Sequence, residues 1–393
     1  MTRPLDGVTV IEAGEGIPAA YCCWMLGVLG ADVIKVEAPA GDVTRRLGPF
    51  PHDVPDREQS ALYLHLNRNK RSIVLDLESA TGQELFRELV AGAAVLVEHG
   101  DPGWLKARGL GHESLAQSHP ELVSTTITPF GQEGPYRDFA ASEITLMALG
   151  GLMNIAGEIE REPLKLAGSP AHYSAGLFAF TSTLMALTLA EASGVGQLVD
   201  VSVLEGLTCS HFQDLVEFEY TGDVRRRGAG KMPIPTQDGF ISFAVQAHHF
   251  PNFRRLILGA DAAPDEASED LINRDRQRLE GEMDNQILEW ALQRTKYEAY
   301  FEGQTEAHIP AAFIAEMQDV LDSPQYEARG YFVELDHPDG ESIKFPGLPA
   351  QMSGVEWEHR RAPRLGEHTI QILNELTDLT ADEIAEVRAA GVI

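Results

Sequence analysis

Residues 8–37, VTVIEAGEGIPAAYCCWMLGVLGADVIKVE, decide the fold of this chain. The β-branched residues Val8, Val10 and Ile11 favour a pleated, half-buried strand. A glycine-containing turn, an apolar helical segment and a second strand ending at Glu37 follow in that order. This strand–helix–strand unit predicts an α/β fold with a parallel sheet covered by helices.

The first turn carries a short glycine pattern. Gly14, Gly16 and Ala19 match G-x-G-x-x-A, and Glu37 follows about 20 residues later, as in dinucleotide-binding proteins. In those proteins the glycines admit a pyrophosphate and the acidic residue binds a ribose hydroxyl. A βαβ unit without a nucleotide needs the same tight turn. The pattern alone therefore leaves an NAD-dependent oxidoreductase as a remote alternative.

The alternation of strands and helices continues after this unit. Further strands are predicted over 72–77, 94–98 and 122–127, and an amphipathic helix over 82–91. Two loops rich in proline and glycine, 38–55 and 128–137, would then lie near strand ends. We expect ligands to bind there, because α/β proteins place their binding sites outside the carboxyl ends of the strands.

The rest of the chain predicts a second, smaller domain. Residues 142–215 form a helical pattern with apolar faces broad enough for deep packing or for a subunit interface. The predicted organisation has 1–224 as the first part of a large domain and 225–330 as a small α+β domain. Residues 331–393 would be a C-terminal segment that returns to the large domain through two late helices.

Composition restricts the possible partners. The 393 residues include 31 Lys and Arg against 60 Asp and Glu, which gives a formal net charge of −29. Such a surface repels phosphate backbones, so nucleic acid and anionic membranes are unsuited as general partners. An anionic ligand would have to be held by a few local cations.

Cysteine usage and the N-terminus indicate a cytoplasmic protein. The three cysteines, Cys22, Cys23 and Cys209, form no C-x-x-C pair and no disulfide framework, which suits a reducing compartment. The opening MTRPLDGVTV lacks the apolar core of a signal peptide. We expect no metal, because the pair His248 and His249 has no spaced acidic partner of the H-E-x-x-H kind.

Eight segments in collinear order resemble the family III CoA-transferases, the group that contains formyl-CoA transferase, carnitine CoA-transferase and α-methylacyl-CoA racemase. These segments are PLDGVTVIE (4–12), GADVIKVEAPAGDVTR (30–45), NRNKRSIVLDL (67–77), GQLVDVSVLEGL (196–207), IPTQDGFISF (234–243), DSPQYEARGYF (322–332), APRLGEHT (362–369) and AAGVI (389–393). The resemblance implies a Rossmann-like large domain that binds coenzyme A rather than NAD, with acyl-CoA as substrate and no permanently bound cofactor. It also implies an interlocked dimer.

The resemblance places His172 where family transferases carry a nucleophilic aspartate. That aspartate lies four residues before a helix glycine, as His172 lies before Gly176 here. An imidazole cannot form the family's mixed anhydride, but it can move a proton near neutral pH or form a reactive acyl-imidazole. His172 is therefore a candidate catalytic residue, the alternative being a buried structural histidine.

Glu143 corresponds to an acidic position near the family's active site. It could orient His172 or act as the complementary acid or base. The alternative is structural, because Glu143 opens a predicted helix and acidic residues are favoured at the positive end of the helix dipole.

The resemblance also suggests residues that contact CoA. The candidates are Gly16, Ile17, Lys70, Arg71, His99 and Arg108. His99 and Gly100 replace an Asn-Phe pair of the family, and the three basic residues are possible partners of CoA phosphates, with Lys35 and Arg45 behind them. Residues 228–230, Gly-Ala-Gly, lie where the family has a mobile glycine-rich loop.

Three interpretations of the function remain open at this point. The first is an enzyme that uses His172 and Glu143 for CoA transfer or for acid–base chemistry at the α-carbon of an acyl-CoA, as in an epimerase or racemase. The second is a non-catalytic subunit that pairs with a paralogue bearing the aspartate. The third is the NAD-dependent oxidoreductase. The first two imply an acyl-CoA partner and either a homodimer or a heteromer with a paralogous subunit.

Overall fold

A computed structural model describes residues 3–224, 233–259, 281, 283–336 and 342–393. The chain divides into two compact units, Met1–Arg227 with Gly330–Ile393 and, separately, Gly228–Arg329. The glycine loop predicted at 228–230 lies outside the described residues.

A six-stranded parallel sheet forms the centre of the first unit. Its strands are β1 (Thr9–Gly14), β2 (Asp32–Glu37), β3 (Lys70–Val74), β4 (Val95–His99), β5 (Val123–Thr128) and β6 (Leu198–Ser202). Their order in the sheet is β3-β2-β1-β4-β5-β6, and every neighbouring pair is parallel. The predicted α/β class is confirmed. The order reverses between β1 and β4, which places a crevice at the carboxyl ends of these two strands.

Helices cover both faces of this sheet. The described helices of this part of the chain are α1 (Ile17–Val28), α2 (Ala61–Leu66), α3 (Ala80–Ala91), α4 (Trp104–Ala107), α5 (His112–Leu115), α6 (Glu143–Leu149), α7 (Leu152–Ile155), α8 (Pro170–Ser193), α9 (Val203–Ser210) and α10 (Phe212–Thr221). One apolar cluster joins Val10 and Val97 to Leu26 of α1 and Ala175 of α8. A second cluster on the other face joins strand residues such as Ile34 to α3.

The sequence analysis missed strand β6 inside the region predicted as helical. Residues 199–202 alternate apolar and polar side chains, with Val199 and Val201 on one side and Asp200 and Ser202 on the other. This period of two is typical of a strand, but five residues between long apolar helices give a weak signal. The predicted helix near residue 150 is also divided, because Gly151 adopts a φ of 84° between α6 and α7.

Helix α8 is the longest of the described helices, and it packs closely against α1. Gly176 makes this approach possible, since a Cβ there would lie 2.8 Å from the carbonyl oxygen of Pro18. By length and apolar composition alone α8 could cross a membrane. Its side facing α1 and β5 is nevertheless part of the first unit's core, with Ala171, Ala175 and Ala179 fully buried.

The last segment of the chain adds a hairpin and two helices to the first unit. Strands β10 (Phe332–Asp336) and β11 (Ser342–Pro346) pair antiparallel. Helices α16 (Thr369–Leu376) and α17 (Ala381–Ala389) follow, and Ile372 and Ile384 belong to the second apolar cluster of the sheet.

The second unit has a three-stranded antiparallel sheet, β7 (Ile234–Pro235), β8 (Phe240–Phe243) and β9 (Ala311–Phe313), in the order β7-β8-β9. Its described helices are α11 (Phe250–Leu258), α12 (Asp284–Leu292), α13 (Lys296–Phe301), α14 (Met317–Leu321) and α15 (Pro324–Ala328). Ile241 and Trp290 lie in an apolar cluster of its described residues.

Buried ion pairs connect the strands to the loop after β2. Lys35 Nζ lies 2.6 Å from a carboxylate oxygen of Glu12, its register partner on β1, and 2.8 Å from Asp42. Lys70 Nζ contacts the other oxygen of Glu12 at 2.6 Å. These side chains are fully buried. Burial lowers the pKa of Lys35, but the carboxylates of Asp42 and Glu12 outweigh it and hold the pKa above its ordinary value.

A second buried pair lies beside the first. The guanidinium of Arg45 donates to both oxygens of Glu37, at 2.7 and 2.9 Å, and Ser72 donates to Glu37 at 2.7 Å. Burial raises the pKa of Glu37, but Arg45 outweighs it and holds the pKa below its ordinary value. Glu37 is therefore ionised at neutral pH and satisfied by protein groups.

Replacing Arg45 by methionine should destabilise the protein strongly, because the carboxylate of Glu37 would stay buried without its counter-ion. We expect a loss of about 3–5 kcal/mol in the free energy of unfolding, measured by urea unfolding at pH 7. Arg57→Met is the matched control: the side chain of Arg57 is 60% exposed and lies 3.5 Å from Glu58, so its loss should change stability by less than about 1 kcal/mol.

The difference between wild type and the Arg45 variant should depend on pH. Because the folded pKa of Glu37 is depressed, its contribution is present above the ordinary value of 4.5 and is lost as the pH falls below it. Equal stability of the variant and the wild type at pH 7 would contradict this account of the pair.

Candidate active site at the carboxyl edge of the sheet

Two glycines shape the turn at the end of β1. Gly14 has a φ of 103°, and a Cβ there would lie 2.0 Å from the carbonyl oxygen of His99. Gly16 has a φ of 97° and precedes α1. Both positions therefore require glycine, Gly14 for close approach of β4 and Gly16 for its backbone conformation.

The buried ion pairs reach this turn through Asp42. The Asp42 carboxylate accepts a hydrogen bond from the Gly16 N–H at 3.3 Å while it also pairs with Lys35. It accepts two further bonds from the backbone and the hydroxyl of Thr44, at 2.7 and 2.6 Å. The turn that precedes α1 is thus fixed by the same side chains that join β1 to β2.

His99 lies at the end of β4 next to the turn. Its Nδ1 is 2.8 Å from the carbonyl oxygen of Ile127, which can only accept, so Nδ1 carries the proton and Nε2 has a free lone pair. Burial lowers the pKa of His99 to about 4, which makes the ring neutral at pH 7. The His99 ring centroid lies 6.5 Å from that of His172.

His172 and Glu143 form a hydrogen-bonded pair where α6 and α8 begin. The Glu143 carboxylate accepts a bond from the Ala171 N–H at 2.8 Å and another from the His172 N–H at 3.4 Å. It also contacts Nδ1 of the His172 ring. Glu143 thus occupies the amino terminus of a 24-residue helix, where a negative charge is favoured.

The protonation of this pair follows from its partners. Burial raises the pKa of Glu143, but the bonds from His172 and Ala171 outweigh it and hold the pKa below its ordinary value. An ionised carboxylate only accepts hydrogen bonds, so Nδ1 of His172 must donate. In the neutral ring, Nε2 is then an unprotonated base or nucleophile. The side chain of His172 is 22% exposed, which leaves it open to a substrate.

A cleft that is open to solvent lies at the carboxyl ends of β1, β2 and β3. It is lined by Gly14, Glu15, Val36, Glu37, Ala38, Asp42, Leu75, Asp76, Leu77, Glu78 and Trp104. His172 and Glu143 are not among these residues. Gly14 lines the cleft and also lies against the backbone of His99. It therefore connects the cleft to His99.

Arg108 lies at the rim of this cleft. Its Nη1 donates to the carbonyl oxygen of Trp104 at 2.8 Å, its guanidinium carbon lies 5.0 Å from the Trp104 ring centroid, and it pairs with Glu78. Both Trp104 and Glu78 line the cleft. Glu78 is largely exposed, so a phosphate could displace it from Arg108.

Lys70 and Arg71 lie elsewhere. Lys70 is buried against Glu12, with further bonds at 2.9 Å to Asn67 and to the carbonyl oxygen of Ala20. Arg71 pairs with Asp32, the first residue of β2, at the amino end of the sheet. The structure thus brings Gly16, Ile17, His99 and Arg108 to the carboxyl edge, and it does not bring Lys70 and Arg71 there as accessible cations.

Sequence reasoning missed three residues that line the cleft, Asp42, Glu78 and Trp104, and also Arg46, whose charge acts on the lining residue Glu15. Asp42 could have been found, because Asp42-Val43-Thr44 is a capping sequence in which the side chain accepts from the Thr44 N–H. Arg46 is exposed, and its charge opposes the rise that burial and Asp42 cause in the pKa of Glu15. Within the described part of the chain, no three His, Cys, Asp or Glu side chains are grouped to hold a metal ion.

Comparison with known proteins gives consistent matches along the chain. The family model described as CoA-transferase family III matches residues 5–369. Succinyl-CoA–D-citramalate CoA-transferase of Chloroflexus aurantiacus is 33% identical, covering 100% of this chain and 98% of that protein. Succinate–glutarate CoA-transferase of Agrobacterium fabrum is 35% identical over 95% and 96% of the two chains.

Two further matches bear on assembly and fold. A subunit of succinyl-CoA:(R)-benzylsuccinate CoA-transferase from Thauera aromatica is 32% identical over 90% of both chains. The crystal structure of a CAIB/BAIF family protein from Brucella suis superposes with a TM-score of 0.82, at 29% identity, over 96% of this chain and 100% of that one.

Replacing Gly14 by alanine should deform the turn between β1 and α1. The added Cβ would meet the His99 carbonyl oxygen and the backbone would be strained, so we expect a loss of about 2–4 kcal/mol in unfolding free energy. Acyl-CoA binding, measured by calorimetry, should weaken in parallel.

Gly92→Ala is the control for this substitution. Gly92 has a φ of −96°, and a Cβ at this position would meet no atom within 4 Å, so alanine there should be neutral or slightly stabilising. If the Gly14 and Gly92 variants had the same unfolding free energy and the same affinity for acyl-CoA, the close approach of Gly14 to His99 would not contribute to stability or binding.

Proposed function

The chain belongs to CoA-transferase family III, and on that premise we propose that it transfers CoA from an acyl-CoA to a carboxylic acid with His172 in place of the family's aspartate. The acyl-CoA would bind at the carboxyl edge of the sheet, as a substrate rather than a resident cofactor. The relatives' names suggest dicarboxylic acids as donor and acceptor. We place the protein in the cytoplasm.

The observation that carries this proposal is the pairing of His172 with Glu143. Because Glu143 accepts the hydrogen bond from Nδ1, Nε2 of His172 is free to attack the thioester carbonyl carbon. The C–S bond then breaks, CoA leaves as a thiolate, and the acyl group remains on Nε2. The acyl-imidazolium is cationic, and the Glu143 carboxylate beside it stabilises that charge.

Two further steps complete the transfer. The carboxylate of the acceptor attacks the acyl-imidazolium, which forms a mixed anhydride and restores neutral His172. The CoA thiolate then attacks the acceptor's carbonyl carbon in the anhydride, so that a new acyl-CoA forms and the donor acid leaves as a carboxylate. No proton is gained or lost overall, which suits a histidine held in one tautomer.

His99 would position the CoA chain in this scheme. Its Nε2 lies 3.6 Å from the position of a Cβ on Gly16, so it is next to the turn that leads to the cleft. A neutral imidazole acceptor at this place could bind an amide N–H of the pantetheine arm. Gly16 and Ile17 would then supply the backbone against which that arm lies.

A non-catalytic subunit is the second candidate, because the chain has an apolar surface on which a partner could pack. No residue of α10 is buried, and Phe212, Leu215 and Tyr220 are all more than half exposed. Such a surface calls for association, either of two copies or with a paralogue. Among the relatives is a protein named as one subunit of a CoA-transferase.

Purified protein distinguishes the two candidates. If the chain acts alone, it should transfer CoA from succinyl-CoA to dicarboxylic acids as a homo-oligomer, detected by chromatography of the acyl-CoA products. Turnover that appears only after addition of a paralogue bearing the aspartate would establish the subunit function instead.

Glu143→Gln should lower kcat while leaving the KM for acyl-CoA nearly unchanged. The amide cannot stabilise the imidazolium as a carboxylate does, and we expect a loss of roughly 10²-fold in kcat. His172→Ala should lose more. Glu160→Gln, an exposed position, is the control. Full activity of the His172 variant would rule out the proposed nucleophile.

Arg108 and Arg71 should differ in their effect on substrate binding. Arg108→Met should raise the KM for acyl-CoA roughly tenfold, since a charge-assisted bond to phosphate would be lost. Glu78→Gln should lower that KM, because its competition for Arg108 ends. Arg71→Met, at the amino end of the sheet, should leave KM unchanged. If Arg71→Met raised the KM for acyl-CoA and Arg108→Met did not, the proposed placement of CoA would be refuted.

A further inference from the structure

Arg68 is buried at the opposite end of the sheet from the candidate active site. It precedes β3 at the strand's amino end and has no exposed surface. Its Nε donates to the carbonyl oxygen of His65 at 3.1 Å, and Nη2 donates to that of Pro346 at 2.8 Å. Nη1 is buried and has no hydrogen-bond partner among the residues that the structure describes.

The positive charge of Arg68 lacks a carboxylate partner within the described residues. Instead, its guanidinium carbon lies 4.8 Å from the Trp24 ring centroid and 5.0 Å from that of Phe345. Burial lowers the pKa of Arg68 to about 10, so the group is still charged at neutral pH. A buried charge without a counter-ion is strongly unfavourable, and such charges are normally paired.

Two other buried polar atoms beside Arg68 also lack partners in the described chain. They are Nε1 of Trp24, on α1, and Nδ1 of His359, in the C-terminal segment. Glu358 and Arg360, on either side of His359, are hydrogen-bonded to the side chain of Asn69, the residue after Arg68, at 2.7 and 2.9 Å. Burial lowers the pKa of His359, and the charge of Arg68 adds to this effect. Trp24, beneath the guanidinium, and His359, in a segment bonded to the residue next to Arg68, thus each bring an unsatisfied nitrogen to the neighbourhood of Arg68.

We propose that Arg68, Trp24 and His359 bind a small monovalent anion of the chloride type. The guanidinium and the indole can only donate hydrogen bonds, and a neutral imidazole can donate from Nδ1, so the set suits an acceptor with negative charge. The three atoms are shut off from bulk solvent, which favours a monatomic ion over a phosphate or sulfate. The ion would join α1 to the hairpin and to the C-terminal segment.

The first test compares thermal unfolding of the full chain in sodium chloride and in sodium gluconate at equal ionic strength. Chloride binding to the folded state should raise the Tm saturably, by roughly 2 °C when the chloride concentration is about ten times the Kd of the site. Arg68→Met should abolish the difference between the two salts. Arg87→Met, an exposed position on α3, should retain it and corrects for general salt effects.

A crystallographic measurement covers the case in which the Arg68 variant does not fold. Crystals of the wild-type protein soaked in sodium bromide should show an anomalous peak within hydrogen-bond distance of Arg68 Nη1. A water molecule there with no anomalous signal, equal Tm values in chloride and gluconate, or a carboxylate from a second copy facing Arg68 would each overturn the proposal.

Discussion

The buried carboxylate of Glu12 sets the arrangement on which the rest of the first unit depends. It lies between two ammonium groups, those of Lys35 on β2 and Lys70 on β3, at 2.6 Å from each. Lys35 in turn holds Asp42, and Asp42 accepts from the N–H of Gly16. Each of these charges needs the next, because a buried ion is tolerated only with its partners in place. The orientation of the turn before α1 follows from this chain of pairs.

The same principle explains the pairing of His172 with Glu143. The amino terminus of α8 favours a negative charge, and Glu143 supplies it from the neighbouring helix while holding the imidazole. A carboxylate is therefore present at this helix end even though residue 172 is a histidine. In our proposal it supports the nucleophile instead of being the nucleophile.

Sequence reasoning was successful where the signal was local and periodic. The strand, turn and helix over residues 9–28 follow from β-branched residues, two glycines and a proline near the helix start, and they could be predicted directly. Strand β6 could not, because its five residues are surrounded by apolar helices. The prediction of which basic residues are accessible to a ligand also failed. Lys70 and Arg71 are adjacent in sequence, yet Lys70 is buried against Glu12 and Arg71 pairs with Asp32 at the sheet's amino end. The position of each residue in the sheet decides its partner, and this position could not be read from the sequence.

A protein with a net charge of −29 can hold a polyanionic ligand only through cations that the ligand can reach, and the ion pairs near the cleft decide which cations these are. Lys35, Lys70 and Arg45 are fully buried and committed to carboxylates, so a ligand phosphate could reach them only by breaking the core. Arg108 differs because its partner Glu78 is a solvent-exposed side chain, and exposed pairs are weak. Exchanging Glu78 for a phosphate would keep the guanidinium paired throughout. Substrate affinity at this edge should therefore depend on the strength of an exposed ion pair, while the buried pairs fix the geometry around it.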